Sequence, residues 1–166
     1  MHDTDIKRII DKVTAQVKSE KALLSCDSIT LALAKRIAAR IEEKAKDMGV
    51  NAVVSICSSG ARPVLCECMD DSYIASYDVA FNKAFTSVSL KMSTIKLKSL
   101  SQPHGPLYGI QHTNEGKIVI FGGGEPLILG DKIIGGLGVS GGSEEQDTAL
   151  AAFGASCVEE EASKCL

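Results

Sequence analysis

Two clusters of short β-prone runs, each joined by a glycine-containing link, constrain this chain more than any other feature. Residues 52–57 and 64–69 flank Ser58-Ser59-Gly60-Ala61-Arg62-Pro63, and two such runs around a Gly- and Pro-containing link read as a hairpin. Further on, residues 117–121 read as a strand, followed by a Gly122-Gly123-Gly124 turn. Residues 126–129 and 132–140 are joined by Gly130-Asp131, a two-residue signal of the type II′ sort. Five short strands linked largely by hairpins predict an antiparallel sheet.

Helical patterns surround these strands. Residues 4–19 repeat Ile6, Ile10, Val13 and Val17 every three to four positions, with Asp3, Thr4 or Asp5 as caps. Residues 29–48 carry an inner stripe of Leu33, Ile37, Ile41 and Ala45 behind the cap candidates Asp27 and Ser28, and Gly49 stops the helix. Residues 73–91 place Tyr77, Phe81, Ala84, Phe85, Val88 and Met92 at helical spacing, and these aromatics are expected in the core. The last helix starts after Gly141-Gly142, where Ser143 and Gln146 fit a capping box and Ala149 or Leu150, Phe153 and Cys157 supply the buried face. Residues 93–114, broken by Pro103, Gly105, Pro106 and Gly109, are too long for an ordinary connection and predict one or two short helical turns. The sum is an α+β fold, with residues 1–166 as a single domain.

Composition narrows the function. At 166 residues the chain has the size of one domain with a real core. A net charge of −3 with scattered basic residues, 4% aromatics and no Trp argue against nucleic acid as a partner. No apolar run approaches the ~20 residues that span a bilayer, so no membrane partner is expected. The polar start Met1-His2-Asp3-Thr4-Asp5 lacks the basic and apolar stretches of a secretory signal, so a cytoplasmic protein with six reduced thiols is expected.

Few motifs carry chemistry on their own. Gly136-Leu137-Gly138-Val139-Ser140-Gly141 matches the dinucleotide fingerprint in letters, but its first two glycines sit inside a strand and no strand–helix–strand unit follows. The expectation is that small residues let something pack closely on the sheet. An anion at the last helix's N-terminus would meet Glu144, Glu145 and Asp147, so capping is the better account. If Cys57 pairs with Val64, then Cys57, Cys66 and Cys68 share a sheet face. They read as buried thiols, or as part of a soft-metal site wanting a fourth ligand. His104 and His112 lie in the long irregular segment. Each is either a solvent-exposed loop residue or a neutral imidazole suited to tetrapyrrole iron, and no catalytic triad is evident.

The order of pieces nevertheless resembles a known family. Ile29-Thr30-Leu31-Ala32, Val53-Val54-Ser55-Ile56-Cys57 with Ser59-Gly60, and Glu67-Cys68-Met69-Asp70-Asp71 are similar to the GlcG/HbpS family, which includes the C-terminal domain of PduO-type proteins. So are Ala80-Phe81-Asn82-Lys83-Ala84-Phe85-Thr86, Gly105-Pro106-Leu107-Tyr108-Gly109-Ile110, Phe121-Gly122-Gly123-Gly124-Glu125-Pro126-Leu127, and residues 134–142 with Gln146-Asp147. The resemblance runs from about residue 28 onward. It implies a profilin-like α/β/α sandwich with a five-stranded antiparallel sheet and a homo-oligomer. It also implies haem binding, with some relatives described as haem-degrading or iron-sensing. PduO-type relatives belong to cobalamin-dependent diol and glycerol metabolism, their adenosyltransferase activity residing in a separate domain.

By the same resemblance Lys83 corresponds to the family's helix lysine. Gly122, Gly123, Gly124, Ser140, Gly141 and Gln146 match its glycine turns and closing motif, and they would shape a pocket or interface. The cysteine-rich hairpin departs from the pattern. Metal ligation by His104 and His112 rests on imidazole chemistry, not on the resemblance. The leading expectation is a non-enzymatic cofactor-handling module that binds haem, or a corrinoid, within a homo-oligomer. A slot between the sheet edge and residues 103–110 would hold the tetrapyrrole, with Lys83 near a propionate. The alternatives are a haem- or cobalamin-modifying redox enzyme and a structural or assembly subunit without a ligand.

Overall fold

The computed structural model describes residues 8–10, 13–14 and 27–164. Most of the helix expected over residues 4–19 lies outside the described residues.

Helix α1 (Leu31–Asp47) is the amphipathic element its periodicity predicts, burying Leu33, Ala34, Ile37, Ala38, Ile41 and Ala45. Thr30, rather than Asp27 or Ser28, caps it: its hydroxyl accepts from the Leu33 amide at 3.2 Å. Strands β1 (Val53–Ser58) and β2 (Pro63–Cys68) form the first hairpin. Helix α2 (Ser76–Leu90) follows, then the short α3 (Thr94–Leu100), capped by Ser93, and two 3-10 turns at Ile110–His112 and Asn114–Gly116. Strands β3 (Gly124–Leu129) and β4 (Lys132–Ser140) form the second hairpin, and α4 (Glu144–Ser156) and α5 (Val158–Ser163) close the chain.

The sheet has four strands in the order β2-β1-β4-β3, every neighbour antiparallel. The expected fifth strand, residues 117–121, lies outside the sheet: Lys117 sits in a turn, residues 118–120 carry no regular structure, and Phe121 begins a bend. Its backbone is held by a side chain instead of a ladder. The Thr86 hydroxyl on α2 accepts from the Val119 amide at 3.0 Å and lies 3.3 Å from the Lys117 carbonyl. Short periodicity identified a β-prone run, but a helix claimed its hydrogen bonds.

Helices cover both faces of the sheet. On one face α1, α4 and α5 pack Ile37, Ile41, Leu150 and Val158 against Val54, Ile56, Leu127 and Leu137 in a single core cluster. Ile41 is fully buried, and truncating such a residue to Ala costs about 2–5 kcal/mol. The opposite face is lined by Gly124, Gly136 and Gly138, on which α2 rests. A Cβ on Gly138 would stand 2.0 Å from the Ala80 carbonyl oxygen, and one on Gly136 would stand 2.3 Å from that of Ala84. The fingerprint-like glycines therefore admit a helix backbone.

That close approach corrects the expected core of α2. Its buried residues are Ser76, Ala80, Lys83, Ala84, Thr86, Ser87 and Val88, whereas Phe81 and Phe85 are half-buried and Tyr77 is 50% exposed. A helix pressed onto glycines has no room beneath it for rings. Phe153 is likewise only half-buried, with the Arg40 guanidinium over its ring, while Leu150 and Cys157 are buried as expected. Among the described residues no helix is long and apolar enough to cross a membrane.

Candidate functional site

The glycine turn before β3, the end of β4 and the first turn of α4 converge on one side chain. Lys83 projects from the inner stripe of α2 and is entirely buried. Its ammonium donates to Asp147 Oδ2 and to the Val139 carbonyl, both at 2.8 Å, with the Phe121 ring 5.1 Å away. Burial lowers the Lys83 pKa, and the adjacent Asp147 carboxylate works against that shift.

Each nearby backbone turn is tied to this centre. Gly123 has φ 106°, and a Cβ there would lie 2.6 Å from Lys83 Nζ, so the turn closes directly over the ammonium. The Gly122 amide donates to Glu144 at 2.8 Å, and Glu144 also pairs with Lys98 of α3. Those partners hold the Glu144 carboxyl below its usual range, the Lys98 hydrogen bond contributing most. The Gly124 amide donates to the Thr94 hydroxyl at 2.9 Å, and the Gly142 amide to Asp147 Oδ1 at 2.9 Å. Ser140 meets Ser76 at 3.1 Å, which joins the end of β4 to the start of α2.

The capping box is present. Ser143 accepts from the Gln146 amide at 3.3 Å, and the Gln146 side chain accepts from the Ser143 amide at 2.9 Å. Beside it opens a crevice of about 500 Å³ lined by Gly49, Asn51, Asp71, Tyr73, Gly141 and Gln146. Next to Tyr73, Ile74 is 97% exposed.

The structure thus brings Lys83, Gly122, Gly123 and Gly124 together, with Gly141 and Gln146 at the neighbouring crevice. None of the hydrogen bonds of that cluster involves His104 or His112. Both imidazoles are exposed on the segment after α3, His104 at φ 68° and His112 at the end of a 3-10 turn. Beside His112, the buried Gln111 Oε1 has no hydrogen-bond donor among the described residues. Thr94 and Thr86 were not anticipated, and Glu144 and Asp147 read as first-turn acids, with Asp147 also in the family match, rather than as partners of this centre. The signal for Asp147 was available, since Lys83 falls between Ala80 and Ser87 on the inner stripe of α2 and a buried ammonium demands a carboxylate.

The assumed cysteine register is corrected. A bulge between Ile56 and Cys57 pairs Cys57 with Pro63, not Val64, and the Cys57 thiol turns to the Ala84 carbonyl at 3.3 Å. Burial pushes that thiol up to about 11. Among the described residues no three His, Cys, Asp or Glu side chains converge to hold a metal.

A glycine-floored antiparallel sheet between helices, locked by a buried Lys–Asp pair beneath a triple-glycine turn, defines a recognisable class of α+β domain. The chain belongs to the family described as haem degrading protein HbpS-like, whose model matches residues 29–156. An uncharacterised 15.0 kDa protein from the dhaT-dhaS intergenic region of Citrobacter freundii is 44% identical over 80% of this chain and 94% of its own length. The corrinoid adenosyltransferase PduO of the same organism is 32% identical over 90% of this chain, which spans only 46% of that relative. Among solved structures, Klebsiella pneumoniae ORFY superposes with a TM-score of 0.76 at 43% identity, covering 78% of this chain and 90% of that one. The structure described as a PduOC:heme complex superposes with a TM-score of 0.75 at 34% identity, covering 78% and 94%.

Proposed function

We propose that this chain is a non-enzymatic module that binds haem within a cytoplasmic homo-oligomer, as an accessory to cobalamin-dependent diol or glycerol metabolism. The observation that carries the reading is the 34% identity and shared fold with PduOC, a relative whose structure is described with haem bound. A corrinoid is the second candidate ligand, supported only by the name of the PduO relatives.

The donor chemistry fits a haem. His104 and His112 offer imidazoles open to solvent on one segment, and Gln111 Oε1 offers an acceptor in need of a donor. Haem iron is held by such imidazoles, and the bound group would supply redox or gas-binding chemistry. Among the described residues both imidazoles are open to solvent, and apolar side chains such as Ile74, Tyr77 and Tyr108 are exposed. A second copy would provide an enclosing wall, which ties the ligand to the homo-oligomer.

In this reading Gly122, Gly123, Gly124, Ser140, Gly141 and Gln146 shape the protein around the ligand. Lys83 anchors that framework from within, its ammonium already committed to Asp147. Titration of the purified protein with hemin is expected to give a saturable, shifted Soret band, lost on His104→Ala or His112→Ala. A shift unchanged in both variants removes these histidines as ligands. No saturable shift rejects haem, and the ligand-free assembly reading then takes its place.

A further inference from the structure

The thiols of strand β2 are unused by the haem reading. Cys66 and Cys68 stand two residues apart on an extended strand, so both side chains leave the same face of the sheet. They lie opposite Ser55 and Val53 of β1. Cys68 is exposed and Cys66 half-buried, on the outermost strand of the sheet, so solvent reaches the pair.

Spacing decides what such a pair can do. Two positions on one strand face are ~6.6 Å apart at a rise of ~3.3 Å per residue. A disulfide requires Cβ atoms roughly 3.5–4.5 Å apart, so these thiols cannot close on each other without bending β2. One bridging atom does fit. Two metal–thiolate bonds of ~2.3 Å in line span ~4.6 Å, reached when each sulfur leans inward by about 1 Å. With no third ligand converging among the described residues, the four-coordinate arrangement of structural zinc is not built. Two thiolates alone match a soft monovalent cation that accepts linear coordination.

The geometry points to Cys66 and Cys68 as a two-coordinate site for a soft monovalent d10 cation, copper(I) above all. Two S–H bonds break and two S–Cu bonds form. Both protons go to solvent, and the filled site carries one negative charge. Copper enters and remains as copper(I), so no electron is exchanged. Burial is the main cause that pushes the Cys66 thiol up to about 11, which keeps it protonated until a cation displaces the proton.

The test is an anaerobic titration of the reduced chain with copper(I) against bicinchoninate. A Cys26→Ser/Cys165→Ser background removes the thiols outside the described residues. One equivalent is expected to leave the chelator, with an ultraviolet thiolate-to-copper charge-transfer band, and silver(I) is expected to show the same stoichiometry. Cys66→Ser or Cys68→Ser should each lose the one-equivalent retention against the chelator, with thermal unfolding showing each variant still folded. Three results would overturn the site: no copper retained by the parent, equal retention by Cys66→Ser/Cys68→Ser, or a Cys66–Cys68 disulfide mapped by mass spectrometry in the oxidised native protein.

Discussion

Lys83 Nζ donates to Asp147 Oδ2 across 2.8 Å with both side chains buried, joining the middle of α2 to the first turn of α4. The second oxygen of that carboxylate accepts from Gly142, so one acid fixes a helix, a turn and the end of β4 together. Removing one member of a buried pair leaves the other as an uncompensated charge, which costs about 3–5 kcal/mol. Lys83→Met is therefore expected to lower unfolding free energy by about that much in urea titrations. Lys83→Met/Asp147→Leu should recover at least half of the loss, since no unpaired charge remains. A single variant as stable as the parent would show that the pair is not needed.

The contact between α2 and the sheet depends on the absence of side chains at three positions. Gly138→Ala puts a methyl 2.0 Å from a backbone oxygen, which cannot rotate away, so the helix itself must move. A loss of about 1–3 kcal/mol or more is expected, as for overpacked cores. Gly60→Ala, whose Cβ would meet only the Ser58 hydroxyl at 3.9 Å, should be nearly neutral. Equal effects in the two variants would contradict the packing described above.

Glu161 governs the acid limb of stability. Hydrogen bonds from Lys164, Arg40 and Arg36 depress its pKa from 4.5 to about 2. A folded-state pKa below the unfolded value means that its contribution is fully present above about pH 4.5 and is lost as pH falls toward 2. Melting temperature measured from pH 7 down to acid should therefore fall more steeply for the parent than for Glu161→Gln. Parallel curves would remove Glu161 from the account.

Thiol reactivity should follow burial. Cys57 and Cys66 are each pushed up to about 11, chiefly by burial, whereas Cys68 is exposed. The thiolate is the nucleophile, so iodoacetamide at pH 8 should label Cys68 well before either of the other two in the metal-free native protein. Peptide mapping by mass spectrometry reads the order directly. Early labelling of Cys57 would mean that α2 lifts from the sheet under native conditions.

Several features were legible because their causes lie within a few residues. The stripe from Leu33 to Ala45 needs only helical periodicity, and the Ser143–Gln146 box only three residues of spacing. The Gly130-Asp131 turn and both hairpins likewise follow from local chemistry. Apart from the cap at Thr30, the departures come from partners distant in sequence. The run at 117–121 failed to become a strand because Thr86 reached it first, and the aromatics of α2 turned outward because glycines on β3 and β4 drew the helix close.

The sequence by itself determined the α+β class, the main helices and hairpins, and the motifs that mark the family. It did not determine that Lys83 would meet Asp147 across 64 positions, that a bulge would set Cys57 opposite Pro63, or that both histidines would be exposed. Periodicity and turn chemistry act over one or two turns of chain, whereas a buried charge or a displaced strand finds its partner only when the whole core has packed.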